Sequence, residues 1–345
     1  MIHRLAWATL VSLIVLILVG AVVRVTGSGL GCPDWPTCWG CLIPPTSVDQ
    51  IDVEKLDIDK FKRYASRHGI DPDSITKETV LDSFNPVHTW IEFCNRLTSL
   101  PLGICSLLLA LSSFRASRSR GWIILLSWLG LIDVLGNAVM GAMVVRSGLQ
   151  PGIITLHMAL AFLLIIILVT IIWLSRTPRE DVEAKTEQSG VSSFASNKLL
   201  IASLVFFACL FAEGLMGSQV REQTDELAKI AAGDDRHEWA SQLESTWIYK
   251  VHRSFSWTLL VTAIGIFVWG RTNTQAKTKS TPEPKLILAL VVAMMIMGVV
   301  MAHVSVFQVV QVAHVGSTAV LLAISWHWLL RLFANRTIQR LHQAS

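Results

Sequence analysis

The sequence predicts an all-α polytopic membrane protein in which eight transmembrane helices form two pseudo-symmetric four-helix bundles. Three observations carry that prediction. The 345 residues are 52% hydrophobic and 16% charged, with a mean hydropathy of +0.53, too little charge for the surface of a soluble domain of this size. Eight apolar runs each reach the about 20 helical residues that cross ~30 Å of hydrocarbon. One sequence offset relates the two halves of the chain.

The runs lie at approximately 5–26, 90–113, 122–145, 152–174, 198–218, 250–270, 285–304 and 309–333. The first is too long for a signal-peptide core, and the Cys-Pro-Asp-Trp-Pro loop after it lacks a small-residue cleavage site, so it reads as a retained span. Orientation follows Lys and Arg in the short loops. Arg115, Arg118 and Arg120, then Arg176, Arg179, Lys185 and Lys198, then Arg271, Lys277, Lys279 and Lys285, and finally Arg331, Arg336 and Arg340 all fall on one side. That side, with both termini, is expected to be cytoplasmic. The opposite side receives a long loop at about 27–88 and a medium loop at about 219–247. The net charge of +4 therefore reflects topology in a lipid bilayer and makes no case for nucleic-acid binding.

The offset is 157 residues. It carries Thr89 to Thr246, Arg96 to Arg253, His157 to His314, Gly141 to Gly298 and Met140 to Met297, spanning runs two to four and six to eight without a gap. "GAVVRVTG" (Gly20–Gly27) likewise resembles "GSQVREQT" (Gly217–Thr224). Four spans restore the starting side, so the repeats are parallel. The expected division is an N-terminal half at 1–175, a cytoplasmic linker at 176–197 and a C-terminal half at 198–345.

Histidine near a membrane rim is costly unless it binds something. His252 and His314 stand at the ends of two different spans, and their placement fits two imidazoles facing each other across a bundle, holding a haem by both axial positions. Zinc would want a compact cluster with Cys or carboxylate, which the spacing does not offer. In the first half His157 has its equivalent in His314, but the offset partner of His252 is Asn95. His88 lies seven residues earlier, with Glu92 between, so that 88, 92 and 95 form one helical stripe. His88 would then be a displaced ligand, or the iron would be held from one side. Glu92 has no counterpart, the offset giving Tyr249, and a rim carboxylate near a haem is a candidate for proton handling. Arg24, Arg96, Arg146, Arg221 and Arg253 gather at the same rim, suited to snorkelling or to pairing with haem propionates. His303 is secondary, because its offset partner is Arg146. Asp133 and Glu213 lie inside spans without an assigned role.

Cys32, Cys38 and Cys41 stand together in "GCPDWPTCWGC", where an oxidising compartment permits a bridge from Cys32 to Cys38 or to Cys41. Cys94, Cys105 and Cys209 read as small buried apolar residues. The polar stretch at about 42–85 is expected to form a small helical cap near "VEKLDIDKFKRYASRHG".

"RVTGSGLGCPDWPTC", "IEFCNR", "VVRSGLQPGIITLHMALA", "VHRSFSW" and "VAHVGSTAVLLA" together resemble the haem A synthase family in order and over essentially the whole chain. The resemblance implies oxidation of a methyl group of haem O to the formyl group of haem A, the haem of terminal oxidases. The implied route is an alcohol and then a hydrated aldehyde that loses water. It also implies haem b between His252 and His314, substrate in the N-terminal half, an essential acid at Glu92 and a disulfide in the first outer loop. Implied partners are haem O synthase and an electron acceptor or donor. The implied place is a bacterial cytoplasmic membrane, with the haem sites toward the outer face, and homo-oligomerisation is compatible with all of this. The chain departs from the family at Asn95, where many members carry His, and His88 is the expected substitute. The alternative is a di-haem b-type electron carrier without haem chemistry of its own. It explains paired His equally well, but neither Glu92 nor the cysteine loop.

Overall fold

In hydrocarbon no water completes a backbone hydrogen bond, so each crossing segment must satisfy its own, as a helix does. The computed structural model describes residues 1–67, 71–116, 120–147, 149, 151–176, 193–230, 236–272, 282–304 and 308–344. In chain order its helices are α1 (Ile2–Val25), α2 (Ile58–Arg67), α3 (Lys77–Asp82), α4 (Pro86–Ser112), α5 (Arg120–Arg146), α6 (Pro151–Arg176), α7 (Ser193–Ile230), α8 (Arg236–Ser245), α9 (Trp247–Thr272), α10 (Glu283–His303) and α11 (Gln308–Ala344). All but α2, α3 and α8 are long and apolar enough to cross a membrane, eight among the described residues. No strand occurs among the described residues, where Cys38 and Cys41 form one isolated bridge.

Each predicted span is present, and several helices run further than hydropathy indicates. α7 continues to Ile230 and α11 to Ala344, because Glu, Gln, Lys, Arg and Ala prolong a helix that hydropathy stops counting. α4 begins at Pro86, four residues before the predicted edge. Asn85 caps it, its side-chain oxygen accepting from the N–H of Val87 (2.9 Å) and of His88 (3.1 Å), with Pro86 at the first helical position. His88 is therefore part of α4. Residues 177–192 of the expected linker, with Arg118, Arg179, Lys185, Lys277 and Lys279, lie outside the described residues.

Helix contacts close on themselves twice. α1 packs on α4, α4 on α5, α5 on α6 and α6 back on α1; α7 packs on α9, α9 on α10, α10 on α11 and α11 back on α7. Contacts between these two sets run through α1 with α11, α6 with α11 and α6 with α7. Accordingly α6 has 50% of its apolar window buried and α10 only 11%, and the core gathers on Phe162, Ile165, Leu168, Phe206, Leu210 and Leu322.

Small residues let these inner helices approach, since lipid supplies no hydrophobic drive for packing. A Cβ at Gly316 would stand 2.4 Å from Leu18 Cδ2, and one at Gly214 would stand 2.6 Å from Phe162 Cε2. Leu18 is the far end of a flexible side chain, whereas Phe162 is a fully buried ring. Gly214→Val should therefore destabilise the detergent-solubilised protein by about 1–3 kcal/mol through overpacking. Combining it with Phe162→Ala should cost less than the sum of the two single changes, which thermal unfolding by circular dichroism measures.

Candidate functional site

The loop between α1 and α4 folds as a unit. Cys32 and Cys38 form a disulfide (Cα–Cα 4.7 Å), leaving Cys41 free and half-buried. Cys38 and Cys41 exchange backbone hydrogen bonds of 2.8 and 3.1 Å. Asp34 closes the turn, its carboxylate accepting from Trp39 N–H (2.6 Å), Gly40 N–H (2.9 Å) and the Thr37 hydroxyl. Cys32, Cys38, Trp39, Ile51, Leu56 and Val80 then make a second, small core joined by Phe61, Phe84 and Phe93, with α2 falling within the predicted cap. Of the other cysteines, Cys105 and Cys209 are half-buried and Cys94 is exposed, so the expectation of three buried thiols is corrected.

The first turns of α4 hold this cap. Trp39 Nε1–H donates to Gly31 O (2.7 Å) and to Thr89 Oγ1 (3.1 Å), while the Thr89 hydroxyl donates to Gly31 O (2.9 Å). Gly31 lies so close to α4 that a Cβ there would stand 2.3 Å from His88 O. Glu92 is 3% exposed. Its Oε2 accepts from Cys32 N–H (2.7 Å) and its Oε1 from Arg96 Nη2 (2.7 Å). Arg96 Nη2 also donates to Cys32 O (3.0 Å), and Nη1 to Asp34 O and Thr37 O (both 2.9 Å). All four Nη–H groups of Arg96 are thus engaged by the loop and Glu92. On its helix the stripe divides: taking His88 as zero, Asn95 lies about 20° to one side, Glu92 about 40° to the other, and Arg96 and Thr89 at about 80–100°. Glu92 stands at the border between the cap-facing and the ring-facing side of α4.

The ring-facing positions meet glycines of neighbouring helices. A Cβ at Gly20 of α1 would stand 3.8 Å from Asn95 Oδ1, and one at Gly217 of α7 would stand 3.3 Å from His252 Cε1. The two aligned segments around Gly20 and Gly217 thus face the two offset-related positions. On the other helix pair, His157 Cε1 is 3.7 Å from a Cβ at Gly141. The Asn137 backbone lies beside the His157 ring and the Met294 backbone beside that of His314, two residues again 157 apart. His252 and His314 are near enough for a charge on one ring to act on the other.

These rings share one condition. The three residues are half-buried, yet Nδ1 of His157, His252 and His314, and Oδ1 of Asn95, are buried with no hydrogen-bond partner among the described residues. The accessible edge of each imidazole therefore lies away from Nδ1, which suits Nε2 to bind an axial metal. No three His, Cys, Asp or Glu side chains converge on one point among the described residues, so the donors fit a haem held from two sides better than a clustered ion.

The remaining candidates sit apart. Arg253 is exposed, with no partner for its guanidinium among the described residues, unlike Arg96. Tyr249 holds the place of Glu92. His88 is half-buried on α4, two turns or about 10 Å from Asn95 along the helix. His303 is exposed at the end of α10. Two carboxylates without a sequence role acquire neighbours. Asp133 accepts from Asn137 Nδ2 (3.2 Å), and Glu213 Oε1 lies 3.2 Å from His252 Nδ1. Sequence reasoning gave no role to Asp34 and read Thr89 only as a marker of the offset, since the groups they bond lie in a loop whose path the chain does not reveal.

A model of the COX15-CtaA family, described as cytochrome oxidase assembly proteins, matches residues 3–326. The chain is 28% identical over 263 residues to a protein of Bartonella bacilliformis named heme A synthase, covering 72% of this chain and 69% of the relative. It is 27% identical over 299 residues to one of Ruegeria pomeroyi with the same name, covering 79% and 74%. A third so named, from Shewanella oneidensis, is 27% identical over 205 residues, and the match spans 53% of its length.

The Arg96 fork predicts a consequence that a point charge would not reproduce. Arg96→Lys keeps the charge and loses at least one of the loop carbonyls, each worth about 1.5–3 kcal/mol when the donor is charged. Alkylation of Cys41, read at its own peptide by mass spectrometry, should then speed by about tenfold or more, with the Cys32–Cys38 disulfide intact. An unchanged rate would mean that the cap holds without the fork.

Proposed function

Because the chain belongs to the COX15-CtaA family of cytochrome oxidase assembly proteins, we propose that it is a haem-dependent membrane oxidoreductase that converts haem O to haem A. The observation that carries this is an asymmetry. Offset-related positions on α4 and α9 meet the same kind of glycine, but one carries His252 while the other carries Asn95, with the buried carboxylate of Glu92 one turn earlier on the same helix.

On this proposal residues 198–345 form the cofactor half, with haem b held by His252 and His314. Residues 1–175 form the substrate half, with haem O held by His157 and by His88 reaching in from two turns further along α4. Haem b, when bound, supplies one-electron transfer. Arg253, exposed near the start of α9 and without a partner for its guanidinium among the described residues, offers it to a propionate. Arg96 contributes through the cap: it fixes the disulfide loop and Glu92 as one rigid roof over the substrate half, which excludes water. Glu92 is proposed as the catalytic carboxylate, a proton being held or moved at Oε1 or Oε2 while the methyl loses hydrogen. The overall change replaces two methyl hydrogens by one oxygen in two successive two-electron oxidations, through an alcohol and then a hydrated aldehyde that loses water. An electron acceptor and haem O synthase are the proposed partners. The proposed setting is a bacterial cytoplasmic membrane, with both termini cytoplasmic and the haem sites toward the outer face.

Extraction of pigments from membranes that express this chain with a haem O synthase tests the proposal. Haem A should appear; haem B alone would indicate a di-haem electron carrier instead. His88→Ala should abolish haem A while leaving the haem b spectrum intact, and undiminished haem A would remove His88 from the ligand set. His252→Ala or His314→Ala should remove that spectrum.

A further inference from the structure

We infer that Glu213 is a positioning residue that accepts the Nδ1–H of His252 and thereby sets a lower reduction potential for the haem of the C-terminal half. The inference rests on the proposed ligation by His252 and His314. Glu213 lies on α7 and is 6% exposed. Its Oε1 is 3.2 Å from His252 Nδ1, off the line of an ideal hydrogen bond. Neither carboxylate oxygen, nor Nδ1, has a hydrogen-bond partner among the described residues. No Lys or Arg lies within ion-pair distance of Glu213 among them, and the Cys209 thiol one turn away on the same face is its other polar neighbour.

The placement is built from two successive turns. Gly217, four residues beyond Glu213 and on the same face of α7, leaves the space that the His252 ring occupies, a Cβ there standing 3.3 Å from Cε1. One turn presses the ring and the next offers it an acceptor, so orientation and tautomer are fixed together. A carboxylate buried in an apolar bundle is costly unless something there bonds to it. An imidazole that donates Nδ1–H to such a group carries more negative charge at Nε2 and favours ferric over ferrous iron. In the aligned segment of α1, Gly20 matches Gly217 and Leu16 takes the place of Glu213, so the acceptor belongs only to the half with two facing histidines.

The test uses purified full-length protein carrying haem b, prepared without haem O synthase. In redox titration Glu213→Gln and Glu213→Leu should keep the haem and its low-spin two-imidazole spectrum, while the midpoint moves to more positive potential in both. In the wild type the near-infrared charge-transfer band of the ferric haem should lie toward the histidinate position and shift back in the variants. Equal potentials with an unmoved band would overturn the inference. So would a wild-type band at the position of two neutral imidazoles, which decides the matter even if the variants lose haem. Failure of the ligand reading would look different: His252→Ala and His314→Ala would both keep the low-spin spectrum.

Discussion

An imidazole buried where lipid offers no hydrogen bonds must find its partner in the protein or in something the protein holds. Nδ1 of His157 and of His314 is buried with no hydrogen-bond partner among the described residues, at a cost of roughly 1–3 kcal/mol for each such group, and Nδ1 of His252 has only the Glu213 carboxylate beside it. The bundle accepts that cost at offset-related places, and a glycine of the facing helix stands beside His157 (Gly141) and beside His252 (Gly217). Apolar packing elsewhere is ordinary for a helical bundle, with its two largest fully buried side chains, Phe162 and Phe206, on α6 and α7. The rings are what the packing accommodates, and their partial accessibility on the edge away from Nδ1 is what gives the interior a use.

The two halves handle the same helix position in opposite ways. On α9 the face holds His252 and leaves Arg253 exposed. On α4 the equivalent Arg96 is drawn into the disulfide loop, with Glu92 sealed between the loop and the helix. A carboxylate bonded by a backbone N–H and a guanidinium at once is fixed in place, and its position at the edge of the ring-facing side makes it the nearest acid to Asn95 on α4. The cap thereby does for the first half what the second half leaves undone: it closes one end of the helix set over Glu92.

Much of this was legible before any coordinates. Hydropathy located all eight spans, and the 157-residue offset relates Asn95 and His252, each of which stands beside a glycine of the neighbouring α1 or α7, because apolar length and repeated register are properties of the chain itself. The offset also extends to backbone neighbours no motif marks, Asn137 and Met294. What stayed illegible depended on partners outside that register. Arg96 reads as a propionate ligand in sequence because the three carbonyls that claim its Nη–H groups, alongside Glu92, come from a loop with no counterpart in the other half. Glu213 has no meaning along the chain, since α7 aligns with α1 by a different shift, and only the packing of α7 on α9 brings it to His252. The choice between Cys38 and Cys41 was open because both lie within reach of Cys32; Cys38 takes the bridge, and Cys41, which exchanges backbone hydrogen bonds with Cys38, keeps a free thiol.

The contact between the halves is made from residues next to those rings. Phe162 follows His157 by five residues on α6 and presses on Gly214, the neighbour of Glu213 on α7. Thr318, one turn beyond His314 and bonded to its carbonyl (3.1 Å), is the next atom group that a Cβ at Gly214 would meet, at 3.3 Å. Helices α6, α7 and α11 therefore meet at one point that touches the surroundings of His157, His252 and His314 together. On the proposed reading, a junction of this kind fixes the separation of the two haem sites whichever half moves its cap or loop. If the first half is where substrate enters and leaves, as proposed, the freedom it needs lies on the α4 and α5 side, away from that junction, so that exchange of substrate leaves the path to the second haem undisturbed.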